Sequence, residues 1–207
     1  MSCKQLPEGY VFHQKIDLKE NKKQFWLVQG LCYGTFALFV AFGVVITVFG
    51  NLAPNGFEGP ALFIMLLTWS VGYLVYIVLH ELTHGVCMLA FSKQKIRFGA
   101  SFTYAYCASD AYFNKKEYII TALAPVVVWG IVFAVLNAVF RIEGWFWVIW
   151  MLQAGNIGGA MGDFFCTYKI THCPKDVLVL DRGTDMTIYR RATDEELQNT
   201  AQEEEAA

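Results

Sequence analysis

Two histidines spaced four residues apart, His80 and His84, are the side chains of this sequence with the clearest potential for chemistry. In a helix they share one face, so their imidazoles can bind the same metal ion. Glu81 follows the first histidine directly, where its carboxylate can take a proton from a metal-bound water. Core histidines held by hydrogen bonds are the alternative, but such groups at membrane depth are costly unless they pair, bind metal or face water. The spacing therefore predicts a zinc site.

Asp163 is the predicted third ligand of this site. Catalytic zinc usually takes three protein ligands and leaves one position for water. Asp163 is the only charged residue between positions 144 and 168, and it lies 19 residues after the start of that apolar stretch. His80 likewise lies 19 residues after position 61, where its own stretch starts. In two helices that enter from the same side, both side chains therefore reach the same depth of roughly 28 Å. A capping or snorkelling acid at the membrane edge is the alternative role.

Asn156 lies seven residues before Asp163, two helical turns away on the same face. Its amide could hydrogen-bond a substrate carbonyl or a developing oxyanion, which would make it a catalytic residue together with Glu81. An interhelical hydrogen bond is the alternative. The glycines around Asn156 allow the backbones of membrane helices to touch and favour a local break in the helix. They form two overlapping GxxxG pairs, Gly155 with Gly159 and Gly158 with Gly162.

The chain is 56% hydrophobic and only 16% charged, with a mean hydropathy of +0.38, whereas an ordinary soluble domain is about 25% charged. Its net charge of −2 gives no indication of a nucleic-acid partner. Four stretches are long and apolar enough to cross a bilayer as helices, at residues 25–50, 61–79, 119–140 and 144–168. The predicted fold is therefore an all-α multi-span membrane protein with four transmembrane helices. Residues 25–168 form its membrane region, between polar segments at 1–24 and 169–207.

The distribution of lysine and arginine predicts how the spans are oriented. The segment before the first span carries five of these residues, the loop at 51–60 none, the loop after the second span five, the third loop one and the C-terminal segment five. Because basic residues concentrate on the cytosolic side, both termini are predicted to be cytosolic. The N-terminal segment lacks the apolar core of a signal peptide, and four short spans without trafficking signals favour a bacterial plasma membrane. Pro125, inside the third span, predicts a kink.

Two stretches outside the spans are predicted to contain strands. Residues 96–106 alternate with a period of two, which indicates one strand within a short β-hairpin after the second span. Its place just after the histidines suggests an edge that holds a substrate in extended form by strand addition, and a purely structural hairpin is the alternative. Residues 176–189 predict a small soluble hairpin with a glycine turn. The acidic tail beyond Thr193 is predicted to be disordered or a frayed helix.

With HELTHG at the end of one span and GNIGGAMGD in a later one, the chain resembles the site-2 protease group of intramembrane zinc metalloproteases. In particular, it is similar to a compact four-span branch described as putative zincin peptidases. The resemblance extends from the second span to the C-terminal hairpin. It implies that His80, His84 and Asp163 bind zinc and that Glu81 is the catalytic acid/base.

One signature of that group is matched only in part, because glycines rather than a proline follow Asn156, and Phe164 follows Asp163. The predicted function is a membrane-embedded zinc metalloendopeptidase that uses zinc-activated water on membrane protein or peptide substrates within the lipid bilayer. Two alternatives are open: a non-enzymatic zinc-binding membrane protein, such as a silent protease scaffold or sensor, and a metallohydrolase with a lipid or prenylated substrate. Glu81 argues against a structural site, which would close its fourth position with another protein ligand.

Overall fold

The computed structural model describes residues 2–49, 60–100, 105–140, 145–183 and 185–198. Most of these residues are helical. The helices are α1 (Lys22–Phe49), α2 (Pro60–Ser92), α3 (Lys115–Val139), α4 (Trp145–Gly159) and α5 (Met161–Thr171). The strands are β1 (Tyr10–Ile16), β2 (Ile96–Ala100), β3 (Ala105–Ser109), β4 (Tyr112–Asn114), β5 (Leu178–Asp181) and β6 (Met186–Arg191). The chain is thus mostly helical, with two small sheets.

Three of the helices, α1, α2 and α3, are long and apolar enough to cross a membrane. They contain the first three stretches predicted as spans. The fourth stretch differs from a single long helix, because it is divided at Ala160 into α4 of 15 residues and α5 of 11 residues. Ala160 has a backbone φ of −84° and ψ of 13°, outside the α-helical range. The break predicted from the neighbouring glycines is therefore confirmed.

The glycines of α4 let this helix pack closely against its neighbours. A Cβ atom on Gly158 would lie 3.2 Å from the backbone oxygen of Cys32 on α1, and a Cβ atom on Gly155 would overlap the ring of Tyr73 on α2. The Trp150 indole N–H donates to the backbone oxygen of Phe39 at 2.8 Å, which adds a second link between α4 and α1. These contacts hold α4, and with it α5, against the first two helices.

A four-stranded antiparallel sheet lies at one end of the helices, with strand order β1-β6-β5-β4. Its fully buried side chains, Phe113, Val179 and Ile188, form a core together with Ile170 of α5. The predicted C-terminal hairpin is present as β5 and β6, and Gly183 in its turn has a φ of +81°. The hairpin is not a separate unit, however. It is joined on one side by β1 of the N-terminal segment and on the other by β4, neither of which we predicted.

A two-stranded antiparallel sheet of β2 and β3 follows α2. The predicted hairpin is confirmed, but the prediction of one continuous strand over residues 96–106 is wrong. Ala100 pairs with Ala105, so the chain reverses within that stretch. The period-two pattern continues through the reversal and cannot locate it. Residues 101–104, most of the loop at 51–60 and the tail beyond 198 lie outside the described residues, while residues 194–198 form a helical turn.

Candidate metal centre

Three polar side chains lie on one face of α2, each one helical turn apart: Tyr76, His80 and His84. The two imidazole rings are 4.8 Å apart between centroids and nearly perpendicular, at 78°. The face is turned towards α3 and α5, since the histidines contact Thr121 of α3 and Asp163 of α5. The helical periodicity of one helix therefore presents two imidazoles to two other helices.

Asp163 completes a triangle of donor atoms with the two histidines. The Nε2 atoms of His80 and His84 are 3.1 Å apart, and the Asp163 carboxylate lies 3.2 Å from the first and 3.6 Å from the second. In a tetrahedral zinc site with bonds of about 2.05 Å, two ligand atoms are separated by about 3.35 Å. All three observed separations lie close to this value. The structure thus brings together the three residues that the sequence analysis selected as ligands.

Hydrogen bonds on the far side of each ring define which nitrogen carries the hydrogen. Nδ1 of His84 lies 2.9 Å from the backbone oxygen of Thr121. A carbonyl oxygen only accepts, so this Nδ1 is the donor and Nε2 of the neutral ring has a free lone pair. The same partner arrangement, with the second ring nitrogen donating to a carbonyl or carboxylate, is usual for histidines that bind metals.

The ring of His80 is oriented by a chain of side chains. The Asn156 amide N–H donates to the Val126 backbone oxygen at 3.2 Å, so its oxygen faces Tyr76 and accepts the tyrosine hydroxyl hydrogen at 2.7 Å. The hydroxyl oxygen of Tyr76 then accepts from Nδ1 of His80 at 2.8 Å. This ring therefore also directs an Nε2 lone pair at the centre of the triangle.

The donor set fits zinc on these grounds. Two imidazole lone pairs and one carboxylate converge on a single point, where they repel one another unless a cation lies between them. Imidazole nitrogen and carboxylate oxygen are both usual zinc ligands, and three protein ligands are the usual number in a catalytic site.

Glu81 lines a cavity of about 120 Å³ beside the three ligand residues, together with His84, Tyr118, Asp163 and Asp181. No group among the described residues forms a hydrogen bond with the Glu81 carboxylate. Its carboxylate is therefore free to bind a water molecule or a substrate group in the cavity.

Two cavity residues, Tyr118 and Asp181, were missed in the sequence analysis. The Asp181 carboxylate accepts hydrogen bonds from the Tyr118 hydroxyl at 2.7 Å and the Gly183 N–H at 2.8 Å. Burial raises the pKa of Asp181 above its ordinary value, although both hydrogen bonds oppose this shift. An aspartate two residues before a turn glycine is common in hairpins, so the sequence carries no signal that this one faces the cavity.

Cys107 of β3 also lines the cavity. Burial, reinforced by the carboxylates of Glu81 and Asp181, raises the pKa of its thiol to about 12. In the metal-free protein the group is therefore a thiol at neutral pH, whereas a zinc-binding cysteine must be a thiolate. The cavity wall at β3 is thus apolar in character.

Asn156 is fully buried between helices. Of the two roles considered for it, the interhelical hydrogen bond is the one that the structure describes, through Tyr76 and Val126. Direct contact of its amide with a substrate stays a prediction. Tyr76 was not selected from the sequence, although a hydroxyl one helical turn before the first histidine of such a motif is a usable signal.

The fold and this donor triangle define a mostly helical protein with three helices of membrane-spanning length and a His–His–Asp group at the ends of two helices. The chain belongs to the putative zincin peptidase family, whose model matches residues 73–178. That range includes the two histidines, Glu81, Asp163 and the β2–β3 hairpin. Searches of curated proteins and of solved structures gave no significant match. Membership of this family points to a metallopeptidase that uses zinc.

Proposed function

We propose that this protein is a membrane-embedded zinc metalloendopeptidase of the site-2 protease type, which hydrolyses peptide bonds of membrane-associated protein substrates. One observation carries the proposal: the Nε2 atoms of His80 and His84 and the Asp163 carboxylate converge at the separations of a tetrahedral zinc site, beside a cavity that Glu81 lines. A structural zinc site has four protein ligands. Three ligands and an adjacent carboxylate are what hydrolysis requires.

The proposed membrane topology has four passes. The helices α1, α2 and α3 form three of them, and α4 and α5 together form the fourth. Pairing of β1 with β6 brings the N-terminal and C-terminal segments to the same end of the helices, which supports two termini on the same side. The positive residues of both segments favour the cytosol for that side, and the membrane we propose is a bacterial plasma membrane.

Each polar residue has a distinct role in the proposed reaction. Zinc, when bound by His80, His84 and Asp163, supplies Lewis acidity and makes a water molecule more acidic. Glu81 accepts a proton from the attacking water and returns it to the leaving amine, because its carboxylate faces the cavity without a competing partner among the described residues. The scissile amide must be in an extended segment, since a helix conceals its carbonyls in its own hydrogen bonds.

The edge of β2 is the proposed binding site for that extended segment. Within the described residues β2 pairs only with β3, so its other edge has unpaired backbone groups. A Cβ atom on Gly85, the residue after His84, would lie 2.6 Å from the Phe98 ring of β2. The strand therefore lies directly over the end of the helix that carries the histidines, where a substrate added to its edge reaches the cavity.

Zinc content of the purified protein in detergent tests the metal centre. We expect about one zinc ion per chain in the wild type, and its loss in His84→Ala and in Asp163→Ala, because two ligands do not hold zinc tightly. Retention of zinc in Asp163→Ala would show that the third ligand is a different residue. Absence of zinc from the wild type after reconstitution would contradict the proposal as a whole.

Glu81→Gln tests the reaction. The amide keeps the size of the side chain but cannot accept a proton, so we expect normal zinc content and loss of cleavage. The assay is mass spectrometry of new peptide N-termini in a pool of detergent-solubilised membrane proteins incubated with each form. Equal cleavage by the wild type and Glu81→Gln would rule out this mechanism, and zinc binding without any cleavage would favour a non-enzymatic protein.

A further inference from the structure

Pro125 lies inside α3, which continues through it from Lys115 to Val139. In an α-helix the N–H of each residue bonds to the carbonyl oxygen four residues earlier, and proline has no N–H. The carbonyl of Thr121 therefore has no α-helical donor at position 125. The proline ring also clashes with that carbonyl and turns its oxygen away from the helix axis. Both residues are buried, with Thr121 only 2% exposed, so water cannot replace the missing donor.

The freed carbonyl of Thr121 is the acceptor for Nδ1–H of His84, at 2.9 Å. A buried backbone oxygen left without a donor costs about 1–3 kcal/mol, and the imidazole satisfies it. The same hydrogen bond leaves Nε2 of His84 as a lone pair, 3.1 Å from Nε2 of His80 and 3.6 Å from the Asp163 carboxylate. The absence of one N–H in α3 is thus linked to the tautomer of a ligand on α2.

We propose that Pro125 is a positioning residue of the metal centre, which acts by leaving the Thr121 carbonyl free to hold His84 in its Nδ1–H tautomer. The inference rests on the metal centre of the proposed function, and it holds whether or not the protein cleaves peptides. A proline that served only to bend α3 would affect packing and stability, but it would not determine which nitrogen of His84 carries the hydrogen.

The test is the ¹⁵N NMR spectrum of metal-free protein labelled at histidine, in detergent micelles. The chain has four histidines, and single substitutions of His13 and His172 assign the signals that do not belong to the centre. We expect His84 to be the Nδ1–H tautomer in the wild type. In Pro125→Ala the restored N–H bonds to Thr121 along the helix axis, so we expect a mixture of the two tautomers.

Zinc affinity, measured by competition with a chelator, is the second readout. Loss of a hydrogen bond that orients a ligand typically weakens metal binding 10–100-fold. Because a carbonyl can accept two hydrogen bonds, we expect Pro125→Ala to fall at the lower end, about tenfold. Val128→Ala is the matched control, since Val128 lies on the same helix, is 46% exposed, and gains helix propensity without a new N–H near Thr121. It should keep the wild-type tautomer and affinity.

Three results would overturn the proposal: an Nε2–H tautomer at His84 in the wild type, a wild-type tautomer and affinity in Pro125→Ala, or equal changes in Pro125→Ala and Val128→Ala. If Pro125→Ala does not fold, Pro125→Val restores the same N–H and keeps three side-chain carbons in the buried position, and the wild-type spectrum still decides the tautomer. A wild type that binds no zinc would contradict the proposed function, while the tautomer result would stand independently.

Discussion

Replacing Tyr76 by phenylalanine removes a single hydroxyl group that joins two parts of the metal centre. That hydroxyl accepts from His80 at 2.8 Å and donates to Asn156 at 2.7 Å, and Tyr76 is only 5% exposed. In the variant, Nδ1 of His80 has no acceptor and the ring is free to take the other tautomer, with hydrogen on the nitrogen that faces the metal. Zinc must then displace that hydrogen or select the minor tautomer, so we expect its affinity to fall 10–100-fold.

The expected loss of zinc affinity corresponds to about 1.4–2.7 kcal/mol. The metal-free protein should lose less stability, because interhelical hydrogen bonds in membrane proteins contribute about 0.6 kcal/mol on average. Two such bonds end at the Tyr76 hydroxyl, which gives a loss of roughly 1 kcal/mol. The effect on metal binding is therefore larger than the effect on folding, and the two can be measured separately by chelator competition and by unfolding of the chelated protein.

Tyr73→Phe is the matched control for this experiment. Tyr73 lies one turn earlier on α2, and its hydroxyl forms no hydrogen bond with the described residues, while its ring stacks on Trp69 at 5.9 Å. Removal of that hydroxyl should leave zinc affinity unchanged. Equal zinc affinities in the wild type, Tyr73→Phe and Tyr76→Phe would refute the conclusion that the Asn156–Tyr76 pair orients His80.

Three further predictions concern packing and metal removal. Gly158→Ala should be less stable than Gly34→Ala by about 1–3 kcal/mol, because its Cβ meets the backbone oxygen of Cys32 at 3.2 Å, whereas Gly34 has open space; equal stabilities in denaturant titrations would contradict the close contact of α1 and α4. Gly183→Ala should lower stability by about 1–3 kcal/mol, since its φ is +81° and a Cβ would overlap the Tyr106 ring; unchanged thermal unfolding would argue against this turn. Chelation should lower the stability of the zinc-loaded protein by about 4 kcal/mol at a free zinc concentration 1,000 times the Kd, and a chelator that shifts the unfolding of the Asp163→Ala variant equally would show that the shift is unrelated to the centre.

The residues of the candidate metal centre were predictable from the sequence because each signal was local. Helical spacing joined His80 to His84, and equal depth in two apolar stretches joined them to Asp163. The glycines around Asn156 likewise indicated both close packing and the break at Ala160. Each of these inferences needs only the period of a helix and the thickness of a bilayer.

The parts that we did not predict depend on contacts between distant segments. Pairing of β1 with β6 joins residues at opposite ends of the chain, and nothing in the short strand at Tyr10–Ile16 names its partner. The link from Pro125 to His84 requires knowing that the Thr121 carbonyl faces α2. The turn within residues 96–106 was hidden because alternation continued through it.

The strand order of the four-stranded sheet has a consequence for how the protein is made. β1 leaves the ribosome before any helix, but its partner β6 ends 175 residues later, at Arg191. At 5–20 residues per second, β1 waits roughly 10–35 s for that partner. His84 similarly waits for Asp163 until most of the helices have been synthesised. An incomplete nascent chain therefore has neither a closed sheet nor a complete set of ligands, and the metal centre can exist only in molecules whose synthesis has passed α5.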